Sequence, residues 1–305
     1  MKDRAALLAI WALVFNAFIW GVSWWPLRQL QGYGLHPLWT TALVFAVVFA
    51  ALLLRYLDSW RGFAAHPALW LLALASGLTN VGFNWAVTVG DVLRVVLLFY
   101  LMPAWSVLVA WLMLGEKPSP ASLLRLVLAM TGVLIVLKTP ESPWPVPQGS
   151  ADWLAILGGL SFAVTNALLR KCNHTPSGSR MLAMFGGGAV LATATALLGM
   201  SQQVVPGPVL TTADLPMVLV LVLGLSLAFM ASNAALQYGA GRLVASTTAL
   251  VMLTEILFAS LSSAALGAAE FSPRVLLGGS LIVFAAVLAA LAPSSDTADD
   301  ATGAK

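Results

Sequence analysis

The sequence predicts an all-α, polytopic membrane protein of ten transmembrane helices, arranged as two inverted five-helix repeats around a central cavity. Three observations predict it. Of 305 residues, 60% are hydrophobic and only 9% are Asp, Glu, Lys or Arg, too few charges to clothe a soluble fold in water. The apolar residues gather in ten stretches of about 20, the length that crosses a hydrocarbon core. The second half of the chain repeats a pattern of the first with five spans in each half. An odd number reverses the direction of the second half through the bilayer.

The ten expected spans are residues 5–27, 37–55, 67–88, 92–114, 120–138, 151–170, 180–200, 215–238, 242–266 and 273–292. The first follows Met1-Lys2-Asp3-Arg4 and continues to Pro26. That is longer than the apolar core of a secretory signal, so it reads as a retained span. Gly32-Tyr33-Gly34, Gly115-Glu116-Lys117-Pro118 and Gly239-Ala240-Gly241 break the pattern, since glycine frees the backbone and proline removes a donor. The organisation expected is a first repeat over 1–140, a Pro-rich linker over 141–150, a second repeat over 151–292 and a disordered tail over 293–305.

Basic residues set the orientation. With the N-terminus inside, Lys2, Arg4, Arg55, Arg61, Lys117, Arg125, Arg170, Lys171, Arg180, Arg242 and Lys305 lie inside, against Arg28, Arg94, Lys138 and Arg274 outside. Both termini are expected to be cytoplasmic. These cations form no stripe, so nucleic acid is not an expected partner; the lipid bilayer is. Cys172 is the single cysteine, and His36, His66 and His174 are far apart in sequence, so neither a metal site nor a cofactor is expected. An enzyme would need acids, histidines or a metal gathered at mid-membrane. Glu255 stands alone there, so the chain reads as no enzyme.

The repeat is visible when residues 76–137 are laid over 229–290. Asn80 falls on Asn233, Asn84 on Gln237 and Trp85 on Tyr238; after one-residue gaps Tyr100 falls on Met252, Pro103 on Glu255, Leu114-Gly115 on Leu266-Gly267 and Pro120 on Pro273. Inverted repeats characterise secondary transporters, whose solute sits where the halves meet.

The first half carries Trp20-Gly21-Val22-Ser23, then Met102-Pro103, Leu114-Gly115-Glu116 and Pro120, in that order. By these motifs the halves resemble tandem EamA-type domains of the drug/metabolite transporter superfamily. The second half departs from the pattern: Glu255 stands in place of the proline, and the acid after Leu266-Gly267 comes late, at Glu270. Within the superfamily the Trp-rich first span and the Asn80/Asn84/Trp85 stretch are most similar to the YddG-type aromatic amino-acid exporters. That resemblance implies export of aromatic amino acids or related metabolites from a bacterial inner membrane.

Polar groups in the hydrocarbon are expensive unless they face a partner or a wet cavity. Asn16, Trp20 and Ser23 share a helical face, as do Asn80, Asn84 and Thr88; Phe162, Thr165 and Asn166; and Ser226, Met230, Asn233 and Gln237. Hydrogen bonding between helices competes with a cavity lining as the reason for each. The corresponding face of the fourth span shows Phe99, Tyr100, Pro103 and Ser106, and that of the ninth Thr248, Met252, Glu255 and Ser262. Pro103 is read as a hinge or a passive kink. Asp91 and Arg94 are read as a local pair at a helix end or as an outer gate charge.

The candidate substrate-binding residues are therefore Asn16, Trp20, Asn80, Asn84, Trp85, Phe99, Tyr100, Phe162, Asn166, Asn233, Gln237, Thr248, Met252 and Glu255. Glu255 could bind a substrate ammonium, carry a coupled proton or serve as a buried structural acid. Aromatic walls suit a flat apolar solute and an organic cation alike. The expected function is a monomeric secondary exporter of small amphipathic metabolites, aromatic amino acids first, with export of lipophilic or quaternary-ammonium cations through Glu255 as the alternative.

Overall fold

A computed structural model describes residues 2–55, 57–90, 92–138, 147–267 and 273–291 of the chain. Most of the expected linker, the tail, Asp91 and Glu270 lie outside these, as does the side chain of Thr88. The described residues are helical throughout, with no strand among them. Nine of the helices are long and apolar enough to cross a membrane, and ten if Ser59–Ala65 and Pro67–Val87, bent by 97° at a short break, count as one span. The chain is a multi-pass membrane protein. Its outer surface is apolar, with Leu54, Leu112, Val127 and Val220 exposed, as a body solvated by lipid requires.

The first span is divided: α1 is Lys2–Val22 and α2 is Trp24–Gly32. Pro26 explains the division, because its ring crowds the carbonyl four residues back, at Val22. Next come α3 (Pro37–Arg55), the short α4 (Leu57–Ala65) and α5 (Pro67–Val89). Phe63 packs 4.4 Å from Trp70 and 5.3 Å from Trp60, tying α4 to the start of α5.

The fourth span is also divided, into α6 (Val92–Phe99) and α7 (Met102–Leu114). The break follows the carbonyl that Pro103 obstructs, that of Phe99. Gly115 ends α7 in the left-handed region, at φ 71°, which a glycine reaches without steric penalty. Ser119 then caps α8 (Pro120–Leu137), accepting the amide of Ser122 at 3.2 Å.

In the second half α9 is Ser150–Lys171, α10 Ser177–Ser201 and α11 Leu215–Ala240. The ninth span is broken as well, into α12 (Ala245–Met252) and α13 (Glu255–Ala265), and α14 (Pro273–Ala290) closes the bundle. No proline causes this third break. Leu253, Thr254, Ile256 and Leu257 turn to three-residue hydrogen bonds, and the Thr254 hydroxyl donates to the Val251 carbonyl at 2.8 Å, competing with the helical ladder.

The contacts follow a regular plan. Helix α5 packs on α9 and α10, α1 on α11, α12 and α13, α3 on α10 and α11, α7 on α9 and α12, and α8 on α14. Arg94 on α6 reaches Asp152 on α9, 3.4 Å away, and donates to Gln148 at 2.7 Å. Arg94 thus links α6 to the start of the second half, while the expected Asp91–Arg94 pair lies outside the described residues.

Candidate functional site

The broken spans meet around a cavity of about 420 Å³, within the range of small-molecule sites. Its lining comes from α1, α2, α3, α5, α6, α7, α8, α9, α10, α11, α12 and α13. It reaches from Met184 and Met252, in the middle of the bundle, to Pro37 and Leu137 at the face opposite the start of α1.

One wall is aromatic. Trp20 stacks on Phe229 at 4.4 Å with an interplanar angle of 19°, and Phe229 meets Phe45 edge-on at 6.3 Å. A second aromatic group centres on Phe99, which lies 4.9 Å from Phe83, 5.9 Å from Tyr100 and 6.5 Å from Phe162. Phe99 closes α6 and Tyr100 stands in the break that follows it, and both line the cavity.

The polar groups are fastened by short bonds. Asn16 donates to the carbonyl and hydroxyl of Ser232 at 2.9 and 2.6 Å, and its own carbonyl oxygen is buried with no hydrogen bond. Asn80 donates to the Ser76 carbonyl at 2.9 Å, and Asn84 to the Thr41 hydroxyl at 2.7 Å. Asn233 donates to the sulfur of Met184 at 3.3 Å, and its carbonyl accepts from Gln237 at 2.8 Å.

Among the described residues Glu255 is the one charged residue in the lining, joined by no Lys or Arg. Its side chain lies close to that of Tyr100. It opens α13, so the positive end of that helix dipole also faces its carboxylate. Such a group, partly open to the cavity, can meet a cation there. Among the described residues no group of three or more His, Cys, Asp or Glu converges as a metal site would need.

Ten of the fourteen sequence candidates line this cavity: Asn16, Trp20, Asn80, Asn84, Phe99, Tyr100, Phe162, Asn233, Met252 and Glu255. The other four lie elsewhere. Trp85 packs against a cluster formed by Ala42, Val81 and Ala192. Gln237 accepts from buried Arg180 at 3.2 Å. Asn166 and Thr248 are buried outside the lining. Of the remaining stripe members, Ser226 donates to the Val44 carbonyl at 3.4 Å and joins two helices.

The comparison that bears on the site falls on the first half of the chain. Residues 7–138 match the EamA-like transporter family. This EamA-like half contributes Asn16, Trp20, Asn80, Asn84, Phe99 and Tyr100 to the cavity. An uncharacterized transporter of Pseudomonas aeruginosa is 26% identical over 160 residues. That alignment covers 50% of this chain and 51% of the other, so the chain matches about half the length of this curated relative. A solved crystal structure of a protein shares the fold over 95% of this chain and 98% of its own, with a TM-score of 0.73 and 18% identity. The likeness of fold thus extends through both the EamA-like half and the half that follows it.

Sequence reasoning passed over Thr40, Thr41, Ser76, Thr79, Met184 and Phe229, all of which line the cavity. Ser76 had a signal, since it precedes Asn80 and Asn84 by one and two turns. Met184 and Phe229 had none: they are apolar residues in apolar spans.

Proposed function

We propose that the chain is a secondary transporter which carries small amphipathic solutes, aromatic amino acids first among them, by alternating access. The observation that carries this is the setting of Glu255: a carboxylate with no basic neighbour among the described residues of the lining, close to Tyr100, in a cavity walled by Trp20, Phe99 and Phe162. An ammonium group would be drawn to Glu255 and an aromatic body to the walls. The carboxylate end of an amino acid would take hydrogen bonds from the amides of Asn80 and Asn84. A phosphorylated solute would find no cation to meet its oxygens.

In this reading the two halves are inverted repeats. Support comes from the packing plan, which is preserved when each span is exchanged for its counterpart in the other half: α5 on α9 corresponds to α11 on α1, and α7 on α9 to α12 and α13 on α1. Gly115 and Gly267, paired in the repeat, share a left-handed backbone, with φ 71° and 68°. The breaks after Phe99 and Met252 fall at nearly matching positions. The bias of basic residues supports cytoplasmic termini, and the resemblance to bacterial exporters supports an inner membrane.

The missing basic residue also favours a second substrate class, lipophilic quaternary ammonium cations, which need no partner for a carboxylate. Purified protein in liposomes separates the two. Uptake of labelled phenylalanine or tryptophan that unlabelled aromatic amino acids compete away supports the first class. Competition by quaternary ammonium dyes alone, lost in Glu255→Gln, supports the second. Failure of both to be carried by folded protein overturns the proposal.

A further inference from the structure

The Leu114-Gly115-Glu116 turn has a geometry that the cavity does not use. Gly115 donates to the Trp111 carbonyl at 3.2 Å and Glu116 to the Ala110 carbonyl at 3.2 Å, so the left-handed glycine fixes where the glutamate points. One carboxylate oxygen of Glu116 lies 2.6 Å from Nε of Arg170, near the end of α9. The other accepts the amide of Ala245, the first residue of α12, at 3.3 Å. One side chain therefore fastens three helices, α7, α9 and α12, at the face opposite the cavity mouth. Ala245 is an amide at the positive end of a helix, and Arg170 is a cation, so both partners favour the ionised acid.

Beneath this clasp lie polar side chains that no described residue satisfies. Asn166 is one turn below Arg170 on the same face of α9; it is 1% exposed, and neither its amide nitrogen nor its oxygen has a hydrogen bond. Thr248 lies one turn below Ala245 on α12, 0% exposed, with its hydroxyl also unpartnered. Thr165, next to Asn166, lines the cavity, and its hydroxyl is unpartnered too. Buried polar groups in native proteins are nearly always paired. A dry helix seam would be better served by leucine or alanine at these positions. Their cost is explained if the seam is wet for part of the time.

We propose that the Glu116–Arg170–Ala245 clasp is the closed gate of a polar passage between α7, α9 and α12, and that Asn166 and Thr248 line this passage when the clasp opens. The proposal rests on the transport reading for its purpose, since the passage would connect the cavity with the face that the clasp now seals. The groups exposed are neutral donors and acceptors, suited to water and to the polar head of a passing solute. Breaking the ion pair shifts the balance toward the open form.

Thiol accessibility tests this without any solute. Cys172 is replaced by Ser and Asn166 by Cys, and a charged methanethiosulfonate is applied to the reconstituted protein from the face bearing Glu116. With the clasp intact, labelling is slow. Glu116→Gln or Arg170→Gln speeds it about tenfold, the effect of losing one charge-assisted contact. The reversed pair, Glu116→Arg with Arg170→Glu, returns the rate toward the slow value. A cysteine at lipid-facing Leu157 reports general loosening and stays unlabelled throughout. An unchanged rate at position 166 in both single variants overturns the proposal, as does labelling at position 157 whenever position 166 reacts. Because no solute enters the measurement, the gate can be confirmed while every solute tested goes untransported, and the reverse.

Discussion

Tyr100 and Glu255 lie close together across the cavity, brought there by two interrupted spans, one residue in the break of the fourth and the other opening the helix after the break of the ninth. Contact between two breaks ties their positions together. Tyr100→Phe keeps the ring and removes the phenolic donor. It is expected to lower stability by about 1 kcal/mol, the usual net worth of one polar contact. Thermal unfolding in detergent measures that. Transport of aromatic amino acids in liposomes is expected to fall as well. Wild-type flux through a well-folded Tyr100→Phe protein would make the pair structural only.

The stack of Trp20 on Phe229, at 4.4 Å, separates the wall from its support. Phe229 is buried and Trp20 partly open to the cavity. Phe229→Ala removes a core side chain and is expected to destabilise by about 3 kcal/mol. Trp20→Ala is expected to spare more of the stability and weaken solute affinity by roughly 0.5–1.5 kcal/mol, the worth of one aromatic contact. Calorimetric titration with tryptophan, beside a thermal melt, reads both. Equal affinity in Trp20→Ala would remove Trp20 from the wall.

Pro103 is the physical cause of the break after Phe99, so Pro103→Ala allows an amide to bond the Phe99 carbonyl and the span to straighten. Straightening would draw Tyr100 away from Glu255. The expected result is slower turnover with solute affinity changed less, measured by counterflow at saturating and limiting solute. Turnover equal to wild type would make the proline a passive bend.

The spans were legible because lipid imposes a length and an apolar composition that few other environments share; every expected span corresponds to helix among the described residues. The proline breaks were legible in part, through Pro103. The break at Leu253 and Thr254 was not, because its cause is a hydroxyl competing for a backbone carbonyl, and threonine occurs in unbroken helices too. Part of the cavity was legible from polar and aromatic residues at helical spacing. Gln237 and Asn166 obey the same spacing and lie outside the lining, since periodicity identifies a face without saying which neighbour it meets. Phe229 and Met184 carried no polar mark and needed the packing to reveal them.

Arg180 shows how a charge inside a span can be structural. It is 8% exposed; Nη1 donates to the carbonyls of Cys172 and Asn173, each at 3.0 Å, and to that of Thr175, while Nε donates to Gln237 at 3.2 Å. These carbonyls form the turn between α9 and α10, so the guanidinium supplies the donors that the end of α9 lacks. Lysine cannot reproduce this, because its three donors radiate from a single point instead of a planar fork. Arg180→Lys is expected to cost about 1.5–3 kcal/mol and Arg180→Met more, since hydrogen bonds to charged groups are worth that much and methionine removes all of these donors. Gln237, which in turn donates to Asn233 at the cavity edge, would lose its fixed orientation, so solute affinity should fall in the same order as stability. Thermal melts and binding titrations of the two variants check this. An Arg180→Met protein as stable as wild type would show that the turn is held by its own backbone bonds.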